Sequence, residues 1–557
     1  MSQRMRVGVL LAVALLAYAN TLANQFTLDD NVYIQGNPMT TDFAVAKLFT
    51  PTAFNSIFRP LTFATFALEW AIEGSHPFGY HLVNLLLHAV VALLLYLTLC
   101  KLLEPMPRGD IVAFVAALLF AVHPIHTEAV ASISCRSELL AMGFLLAAWS
   151  LHMEDRPVFA ALAFVLALLS KESALAFVPL VFIGDYARGK WKPRLRYASF
   201  VIASAAYLGV LWKVEGGRFG APGVPFLDNP LLHLPASLRI PNALRIAWKY
   251  VWLQVYPVSL SSDYSYNAIL LYGKWSKSAL AVIGALLVIG LWAWAFWTRR
   301  KEWFLAVTIY LAGFAVTANV LMPTGTIMGE RLAYLPSAGF CLLLALLWLY
   351  LEGRERRLAW GLLAVIIVAF GTRTMLRNRD WHDNFTLFSA DVKAVPGSAK
   401  VHSNLGTQYY ALGQLDEAGK QFNIALSIYP DLAEAFGYKA LIASRNGDDR
   451  QARQWLEKAL SLTSRASPNY PVMAVNLAAL EMKMGANDDA LKLLDQEIAE
   501  SPRTSGAWSN RAVVHYQRGD VASARSDAEM ALHLDPSNTQ ARNLLAILSG
   551  SVPARAN

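Results

Sequence analysis

Two adjacent carboxylates, Asp29 and Asp30, directly follow an apolar run from Val7 to Ala23 in a chain of 557 residues. A run of this length can cross a bilayer, and Arg4 and Arg6 precede it. Because lysine and arginine accumulate on the cytoplasmic side of a membrane, we expect both aspartates on the opposite side. A carboxylate there can take the proton of a hydroxyl group that attacks a substrate supplied within the membrane.

Each aspartate taken alone could instead have a structural role, because an aspartate beside a membrane span often only caps the next helix. Further polar and ionisable groups follow later apolar runs, at helix ends that are also predicted to lie outside the cytoplasm. These groups are Arg59, His123, His126, Glu128, Arg136, Glu138, Lys171, Glu172, Asp263, Glu330 and Arg331. Ionisable groups at membrane depth are costly and therefore often mark a functional site.

The cations among these groups predict an anionic ligand beside the aspartates. Lys171 with Glu172, or Glu330 with Arg331, could instead simply belong to structural ion pairs. The alternative for Arg59 is a side chain that extends to lipid headgroups.

His123 and His126, together with Glu128, also suggest a metal site. A three-residue spacing can place two imidazoles on one helical face, but Pro124 disturbs that geometry. Binding of a divalent metal is therefore the less favoured role for the two histidines. The favoured role is hydrogen bonding to a phosphate or to Asp29.

The composition predicts an all-α polytopic membrane protein, since 55% of the residues are hydrophobic, 16% are charged and the mean hydropathy is +0.37. The net charge of +8 lies before Gly397, because the rest of the chain has 16 basic and 17 acidic residues. We attribute this excess to membrane topology and not to nucleic-acid binding. The three cysteines show neither a disulfide framework nor a metal-binding spacing.

Eleven apolar runs predict about eleven transmembrane helices in a domain of residues 1–380. They are Val7 to Ala23, Tyr80 to Leu103, Ile111 to Val122, Leu139 to Leu151, Phe159 to Leu169, Ala174 to Ile183, Tyr197 to Trp212, Ala279 to Trp297, Phe304 to Val320, Leu335 to Leu351 and Trp360 to Gly371. Basic clusters at every second connection place the C-terminal part outside the cytoplasm. Three runs are too short to cross alone, so their polar outer ends are expected to line a cavity.

The segments between these runs include three further expected elements. Phe43 to Phe49 and Leu61 to Ile72 are predicted as amphipathic pieces in the membrane interface. Ile240 to Pro257 is predicted as an interfacial or re-entrant segment. A linker is expected at residues 381–396.

Residues 397–557 have a repeat of 34 residues, seen from Gly413 to Gly447 and from Gly485 to Gly519. This period predicts about four tetratricopeptide repeats, which stack into a solenoid with a concave binding face. Such a face binds a peptide or protein. The side chains expected to point into it are Asn404, Tyr438, Asn476 and Asn510.

Several motifs together resemble the transmembrane and tetratricopeptide-repeat (TMTC-like) O-mannosyltransferases over nearly the whole chain. They are Asp29-Asp30, Phe58-Arg59-Pro60-Leu61-Thr62, His81 with Asn84 and His88, His123-Pro124-Ile125-His126-Thr127-Glu128, Ser170-Lys171-Glu172, Asp263-Tyr264, and Glu330-Arg331 through Pro336. The resemblance implies a glycosyltransferase C-type fold, a polyprenyl-phosphate sugar donor and transfer to protein Ser or Thr hydroxyls. It also implies that a carboxylate of the first outer loop is the base.

The repeat array is shorter than in the animal members of that family. We therefore expect a bacterial homologue in the inner membrane with its repeats in the periplasm, and the sugar is left open. Direct displacement of a lipid phosphate implies inversion at the sugar carbon, with Arg136, Lys171 and Arg331 stabilising the leaving group. Asp29 is favoured over Asp30 as the base, although the sequence does not separate them.

Two other classes of membrane protein also fit part of the sequence. A transporter of a lipid-linked or anionic substrate would place charges at depth, but such proteins usually show internal repeats among their helices. A membrane-anchored repeat scaffold would need one span and not eleven. The glycosyltransferase is therefore the preferred prediction.

Overall fold

The computed structural model describes residues 1–42, 48, 58–214, 224–320, 324–465 and 467–549. Their regular structure is entirely helical, with no strand in the described residues, which confirms the all-α class. The chain divides into two compact units, Met1–Ser398 and Ala399–Asn557.

Sixteen α-helices belong to the described part of the first unit. They are α1 Gln3–Tyr18, α2 Pro38–Thr41, α3 Pro60–Glu73, α4 Pro77–Leu102, α5 Gly109–Val122, α6 Thr127–Ala131, α7 Arg136–Met153, α8 Pro157–Ser170, α9 Phe177–Arg188, α10 Arg194–Val214, α11 Ala236–Val255, α12 Ala279–Trp297, α13 Lys301–Ala315, α14 Pro336–Glu352, α15 Arg356–Asp380 and α16 Asn384–Ala394. Each of the eleven predicted apolar runs overlaps one of these helices.

Within the part of the chain that the structure describes, five helical segments are long and apolar enough to cross a membrane alone, and they contain α1, α4, α10, α12 and α15. The pair α5 and α6 is bent by 53° and would make a sixth span if it crosses as one. Helices α8 and α14 are apolar but shorter. The number of eleven spans therefore stays a prediction.

Two of the three expected interfacial segments are helical. Leu61 to Ile72 lies within α3, and most of Ile240 to Pro257 lies within α11. The expected piece from Phe43 to Phe49 lies outside the described residues, apart from Leu48.

Helix α5 lies at the centre of the first unit and is buried over nearly its whole length. It packs against α1, α4, α14 and α15. It is apolar on all sides, so it can pack against helices in every direction. It ends at Val122, because Pro124 has no backbone N–H to continue the helix. The histidine motif therefore begins inside the unit, at His123.

Helices α13 and α14 approach each other closely at Gly339. A Cβ atom at this position would lie 2.5 Å from both the Ala306 carbonyl oxygen and the Tyr310 backbone nitrogen. Both neighbours are main-chain atoms of a packed helix, so they have little freedom to move. This contact helps to set the separation of the two helices.

Residues 381–396, expected as a linker, include α16 and belong to the first unit. Asp383 caps this helix in a reciprocal arrangement with Thr386. Asp391 of α16 is buried and accepts a hydrogen bond of 2.9 Å from the Arg377 guanidinium of α15. The contiguous unit therefore continues to Ser398.

The described part of the second unit contains four helix pairs and a further helix. The helices are α17 Ala399–Ala411, α18 Leu415–Ile428, α19 Ala433–Arg445, α20 Asp449–Leu462, α21 Asn469–Lys483, α22 Asn487–Glu500, α23 Ser505–Gln517, α24 Val521–Leu534 and α25 Thr539–Leu548. The turn inside each pair holds one glycine with φ between +75° and +84°: Gly413, Gly447, Gly485 and Gly519. This backbone conformation is accessible to glycine at little cost, which explains why the repeat is visible as spaced glycines.

We expect Gly339→Ala to lower the stability of the first unit, because the added methyl group must push two packed backbones apart. Overpacking of this kind typically costs about 1–3 kcal/mol. The measurement is the melting temperature of the purified protein in detergent. Gly361→Ala is the matched control, because no atom lies within 4 Å of a Cβ built on Gly361 of α15. Equal melting temperatures for both variants would contradict the prediction.

Candidate active site

The two adjacent aspartates differ in their surroundings. Asp30 is fully buried, and its two carboxylate oxygens accept backbone N–H groups of Ser134 at 2.7 Å and of Thr27 at 3.1 Å. The neighbouring Asp29 is exposed. Asp30 therefore fastens the first loop to the segment before α7, whereas Asp29 faces outward and is accessible to a substrate.

Burial also affects the acidity of Asp30. Loss of contact with water raises the pKa of its carboxyl group to about 6, although hydrogen bonds from Ser134 and Thr27 oppose the shift. A raised pKa means that the native state favours the protonated form. Asp30 thus contributes most to stability below about pH 4, and this contribution is lost as the pH rises through 6.

The loop that carries both aspartates is held by the end of α15 and the start of α16. Leu28 has a φ of +48° and donates its backbone N–H to the Asn384 side chain at 2.9 Å. Gln25 donates to the carbonyl oxygen of His382 at 2.7 Å. A left-handed conformation is costly for leucine and persists only where the surroundings fix it. These contacts provide that support.

Tyr33 marks the place where three predicted site residues come together. The charges of Asp29, Arg59 and Arg331 all act on its hydroxyl, and burial followed by the charge of Asp29 raises its pKa. A small cavity lined by Tyr33, Arg59 and Ser134 lies here. We call this region, with Asp29 and Arg331, the Asp29 end of the first unit.

Arg331 forms an ion pair with Glu128, a buried residue of α6. The Arg331 backbone N–H also donates to the second oxygen of Glu128 at 2.8 Å. The Glu128 charge raises the pKa of Arg331 despite its desolvation, and Asp29 adds to the effect. The guanidinium side chain remains 28% exposed, so part of its surface is open towards a ligand.

Arg59 forms two hydrogen bonds with Glu172, at 2.8 Å and 3.2 Å. Burial opposes ionisation of Glu172, but the charges of Arg59 and Lys171 outweigh it and lower the pKa of this carboxyl to about 2. Water screens part of this attraction, because 35% of the Glu172 side chain is exposed. Lys171 itself is buried and pairs with Glu138 of α7.

The structural alternative, in which Lys171, Glu172, Glu330 and Arg331 belong to ion pairs, fits three of these four residues. Lys171 pairs with Glu138, Glu172 with Arg59, and Arg331 with Glu128. Each pair joins segments far apart in the chain, so the cations bring the turns at the Asp29 end together.

Arg136 lies deeper than the other cations. Its guanidinium is fully buried and bonds to Glu69 at 2.8 Å, to the Asn84 side chain at 2.8 Å and to the Tyr80 carbonyl oxygen at 3.0 Å. These contacts connect α3, α4 and α7. Its predicted role at the donor phosphate stays a prediction, and the contacts themselves favour support of the site.

His123 and His126 are buried, and every ring nitrogen has a protein partner. His123 contacts the Gln254 carbonyl oxygen at 3.0 Å and the Ile125 backbone N–H at 3.2 Å. His126 contacts the Phe120 carbonyl oxygen at 3.0 Å and the Ser337 hydroxyl at 2.7 Å. In this arrangement both histidines fasten α5 to its neighbours. The described residues contain no group of three or more His, Cys, Asp or Glu side chains arranged to hold a metal ion.

Glu330 contacts the segment after α11, which also carries Asp263. One oxygen of Glu330 accepts the Ser261 backbone N–H at 2.7 Å and the Tyr264 hydroxyl at 2.6 Å. Burial raises the pKa of Glu330 to about 8, so the group is largely protonated at neutral pH. Asp263 accepts the backbone N–H of Ser265 at 2.7 Å. Both residues therefore shape the segment beside Arg331.

Sequence reasoning missed two residues of this region. Asp391 accepts the Ser262 backbone N–H at 3.1 Å, and Arg377 pairs with Asp391. The signal available was weak, because Arg377 lies at the polar end of an apolar run and Asp391 lies in a stretch expected as a linker.

The four residues expected in the repeat groove differ in their contacts. Asn404, Tyr438 and Asn476 are half-buried. Tyr438 stacks on Phe422 with ring centroids 5.2 Å apart. Asn510 is 5% exposed and bonds to Gln540 and to the Val475 carbonyl oxygen. Asn404 and Asn476 thus have more freedom to contact a bound peptide.

Comparison with known proteins covers both units. Residues 403–471 and 475–539 match the tetratricopeptide repeat family model. A Caenorhabditis elegans protein O-mannosyl-transferase, F38B6.6, is 31% identical over 76% of this chain and 62% of its own length. The mouse protein O-mannosyl-transferase TMTC3 is 27% identical over 97% of this chain and 65% of its own. The human protein O-mannosyl-transferase TMTC1 is 29% identical over 77% of this chain and 55% of its own.

The chain is related to the TMTC-family protein O-mannosyl-transferases. The resemblance stated from the motifs is therefore confirmed, as are the tetratricopeptide repeats. The chain spans less than two thirds of the length of the TMTC relatives described above.

We expect Asp30→Ala to destabilise the first unit, because it leaves the buried N–H groups of Ser134 and Thr27 without acceptors. The loss per unsatisfied group is typically about 1–3 kcal/mol. It should be larger near pH 4 than at pH 7, since the contribution of Asp30 fades as the pH rises through 6. Melting curves at both pH values measure this. Asp29→Ala is the control and should leave stability nearly unchanged; a larger loss for Asp29→Ala would contradict the assignment.

Proposed function

We propose that the chain is a membrane-bound glycosyltransferase that moves a sugar from a polyprenyl-phosphate donor to a Ser or Thr hydroxyl of a protein. The observation that carries the proposal is the exposed carboxylate of Asp29, whose charge acts on Arg331 and Tyr33, next to an aspartate that is fixed by backbone hydrogen bonds. The names of the TMTC relatives support the reaction class.

Asp29 is the general base in this proposal. A Ser or Thr hydroxyl has a pKa far above 7, so its attack on the anomeric carbon is helped when a carboxylate takes the proton as the bond forms. Asp30 cannot approach a substrate without leaving Ser134 and Thr27. Its role is to hold the loop so that Asp29 keeps one position.

Arg331 and Arg59 are the cations that meet the donor phosphate. Their side chains are 28% and 21% exposed, respectively. The Lys171 side chain is 3% exposed, so it acts on the phosphate only through its charge and not by contact. The bond between the anomeric carbon and the phosphate oxygen breaks, and the electron pair leaves with the lipid phosphate. Guanidinium groups stabilise that developing charge, so the phosphate need not be protonated.

The reaction balances without a covalent sugar intermediate. The acceptor oxygen forms the new bond on the face opposite the departing phosphate, and Asp29 receives the acceptor proton. A single displacement inverts the configuration of the sugar carbon. The proposal includes the C-type glycosyltransferase arrangement of eleven spans, which the overlap of all eleven apolar runs with helices supports.

The repeat unit binds the protein acceptor in this proposal. Tetratricopeptide solenoids bind extended segments on their concave face, where Asn404 and Asn476 are the freer candidates. The alternation of basic connections predicts that the chain after α15 lies on the same side of the membrane as Asp29. An acceptor held by the repeats can then present a hydroxyl to the base.

We expect Asp29→Asn to reduce sugar transfer by roughly 10²- to 10⁴-fold, because the amide keeps the size of the side chain and loses its basicity. The measurement is transfer from a labelled polyprenyl-phosphate sugar by the purified protein. Asp42→Asn, at another exposed aspartate of the same loop, is the control and should retain full turnover. Full turnover in Asp29→Asn would remove the mechanism.

Deleting residues 399–557 should separate acceptor selection from chemistry. The cut follows Ser398 because Gly397 still accepts a backbone hydrogen bond from Asn267 in the first unit. We expect transfer to a short peptide to persist and transfer to a full-length protein acceptor to be lost. Loss of both activities in a truncated protein that keeps its melting temperature would contradict separate roles. Protease access to the repeats from the cytoplasmic side alone would contradict the proposed topology.

A further inference from the structure

A second cavity lies in the first unit at the end far from Asp29. It has a volume of about 470 Å³. Leu102 at the C-terminal end of α4 lines it, whereas Tyr80 near the start of α4 contacts Phe26 in the loop of the aspartates. These two positions are 22 residues apart, which corresponds to about 33 Å along a helix. The cavity is therefore separate from the candidate active site.

The walls of this cavity are of two kinds. Leu102, Met106, Leu305 and Leu349 form an apolar part. The consecutive residues Arg299, Arg300 and Lys301 form a cationic part, with Glu302 beside them. Three positive charges and one negative charge thus meet an apolar wall.

The cations of the cavity have no acidic partner among the described residues, unlike Arg108 and Lys190 at the same end. Arg108 pairs with Glu352 at 2.6 Å, and Lys190 pairs with Glu104 at 2.7 Å. Among the described residues, Arg299, Arg300 and Lys301 have no carboxylate within 4 Å. Their charge is available to an anion from outside the chain.

The backbone at Arg299 has a conformation that is unfavourable for arginine. Arg299 has a φ of +57°, in the left-handed region, at the position after a helix where glycine is usual. Its backbone N–H donates to the Phe296 carbonyl oxygen, and that of Arg300 donates to Ala295. This turn closes α12 and holds the two arginines at the cavity.

We propose that this cavity binds one anionic phospholipid of the membrane leaflet opposite Asp29. The headgroup phosphate would contact Arg299 and Arg300, and an acyl chain would cover the apolar wall. Guanidinium groups recognise phosphate through paired hydrogen bonds, and basic pockets between membrane helices on the cytoplasmic side suit anionic headgroups. The basic connections predict that this end is cytoplasmic. A free phosphate could also bind the arginines, but it has no acyl chain to contact the leucines of the apolar wall.

The test compares lipid binding by two double variants of the full chain. Delipidated protein in detergent is titrated with phosphatidylglycerol, and bound lipid is counted by native mass spectrometry. We expect Arg299→Gln with Arg300→Gln to weaken retention of one lipid by about ten-fold or more. Arg354→Gln with Arg357→Gln is the matched control, because it removes the same charge from exposed residues that do not line the cavity. The control should retain the lipid as the parent chain does.

Two further experiments distinguish a bound phospholipid from a bound free phosphate. Met106→Trp fills the apolar wall and leaves the cations in place, so it should also weaken lipid retention. Inorganic phosphate in excess should not displace the lipid, and phosphatidylcholine should bind more weakly than phosphatidylglycerol. Equal losses in both double variants would show general surface attraction and overturn the proposal. Displacement by phosphate, or undiminished retention in Met106→Trp, would overturn the lipid assignment.

Discussion

The candidate site depends on the requirement that a buried charge or N–H group must have a partner. Asp30 meets this requirement by accepting two backbone N–H groups, one from its own loop and one from the segment before α7. This fixes the first loop against the bundle. Asp29, one residue earlier, is then exposed at a defined place, which is what a general base needs.

The same requirement organises the cations. Each of the three turns that carry Arg59, Lys171 and Arg331 has its charge matched by a carboxylate from a different part of the chain. Removing one member of such a pair leaves an uncompensated charge, so the pairs hold the turns together. The more exposed arginines can share their charge with a phosphate, because a guanidinium has more donors than one carboxylate can use.

Much of the fold could be predicted from the sequence. The apolar runs predicted helices, and the spaced glycines predicted the repeats, since both signals are local and repeat along the chain. The partners of the charged residues could not be predicted. Arg136 pairs with Glu69, which lies 67 positions earlier, and nothing in either neighbourhood indicates the other. The sequence also could not tell Asp29 from Asp30, because their difference comes from Ser134, a residue distant in the chain.

The contacts of the histidine motif likewise could not be predicted from the sequence. The sequence placed His123 and His126 at the end of an apolar run, and that position is correct. Their ring nitrogens are occupied by Gln254, Ile125, Phe120 and Ser337, and three of these four lie on other segments or beyond the motif. Imidazoles at the end of a buried helix look alike in sequence whether they bind a ligand or fasten helices.

The four glycines of the repeat turns have a consequence for how such a chain can grow. Each turn closes within its own helix pair. Because each pair packs mainly on its neighbours, a segment copied from one glycine to the next would carry a complete turn and two half-pairs that fit the existing array. Duplication or loss of gene segments in steps of about 34 residues could therefore lengthen or shorten the repeat array without altering the loop that carries Asp29.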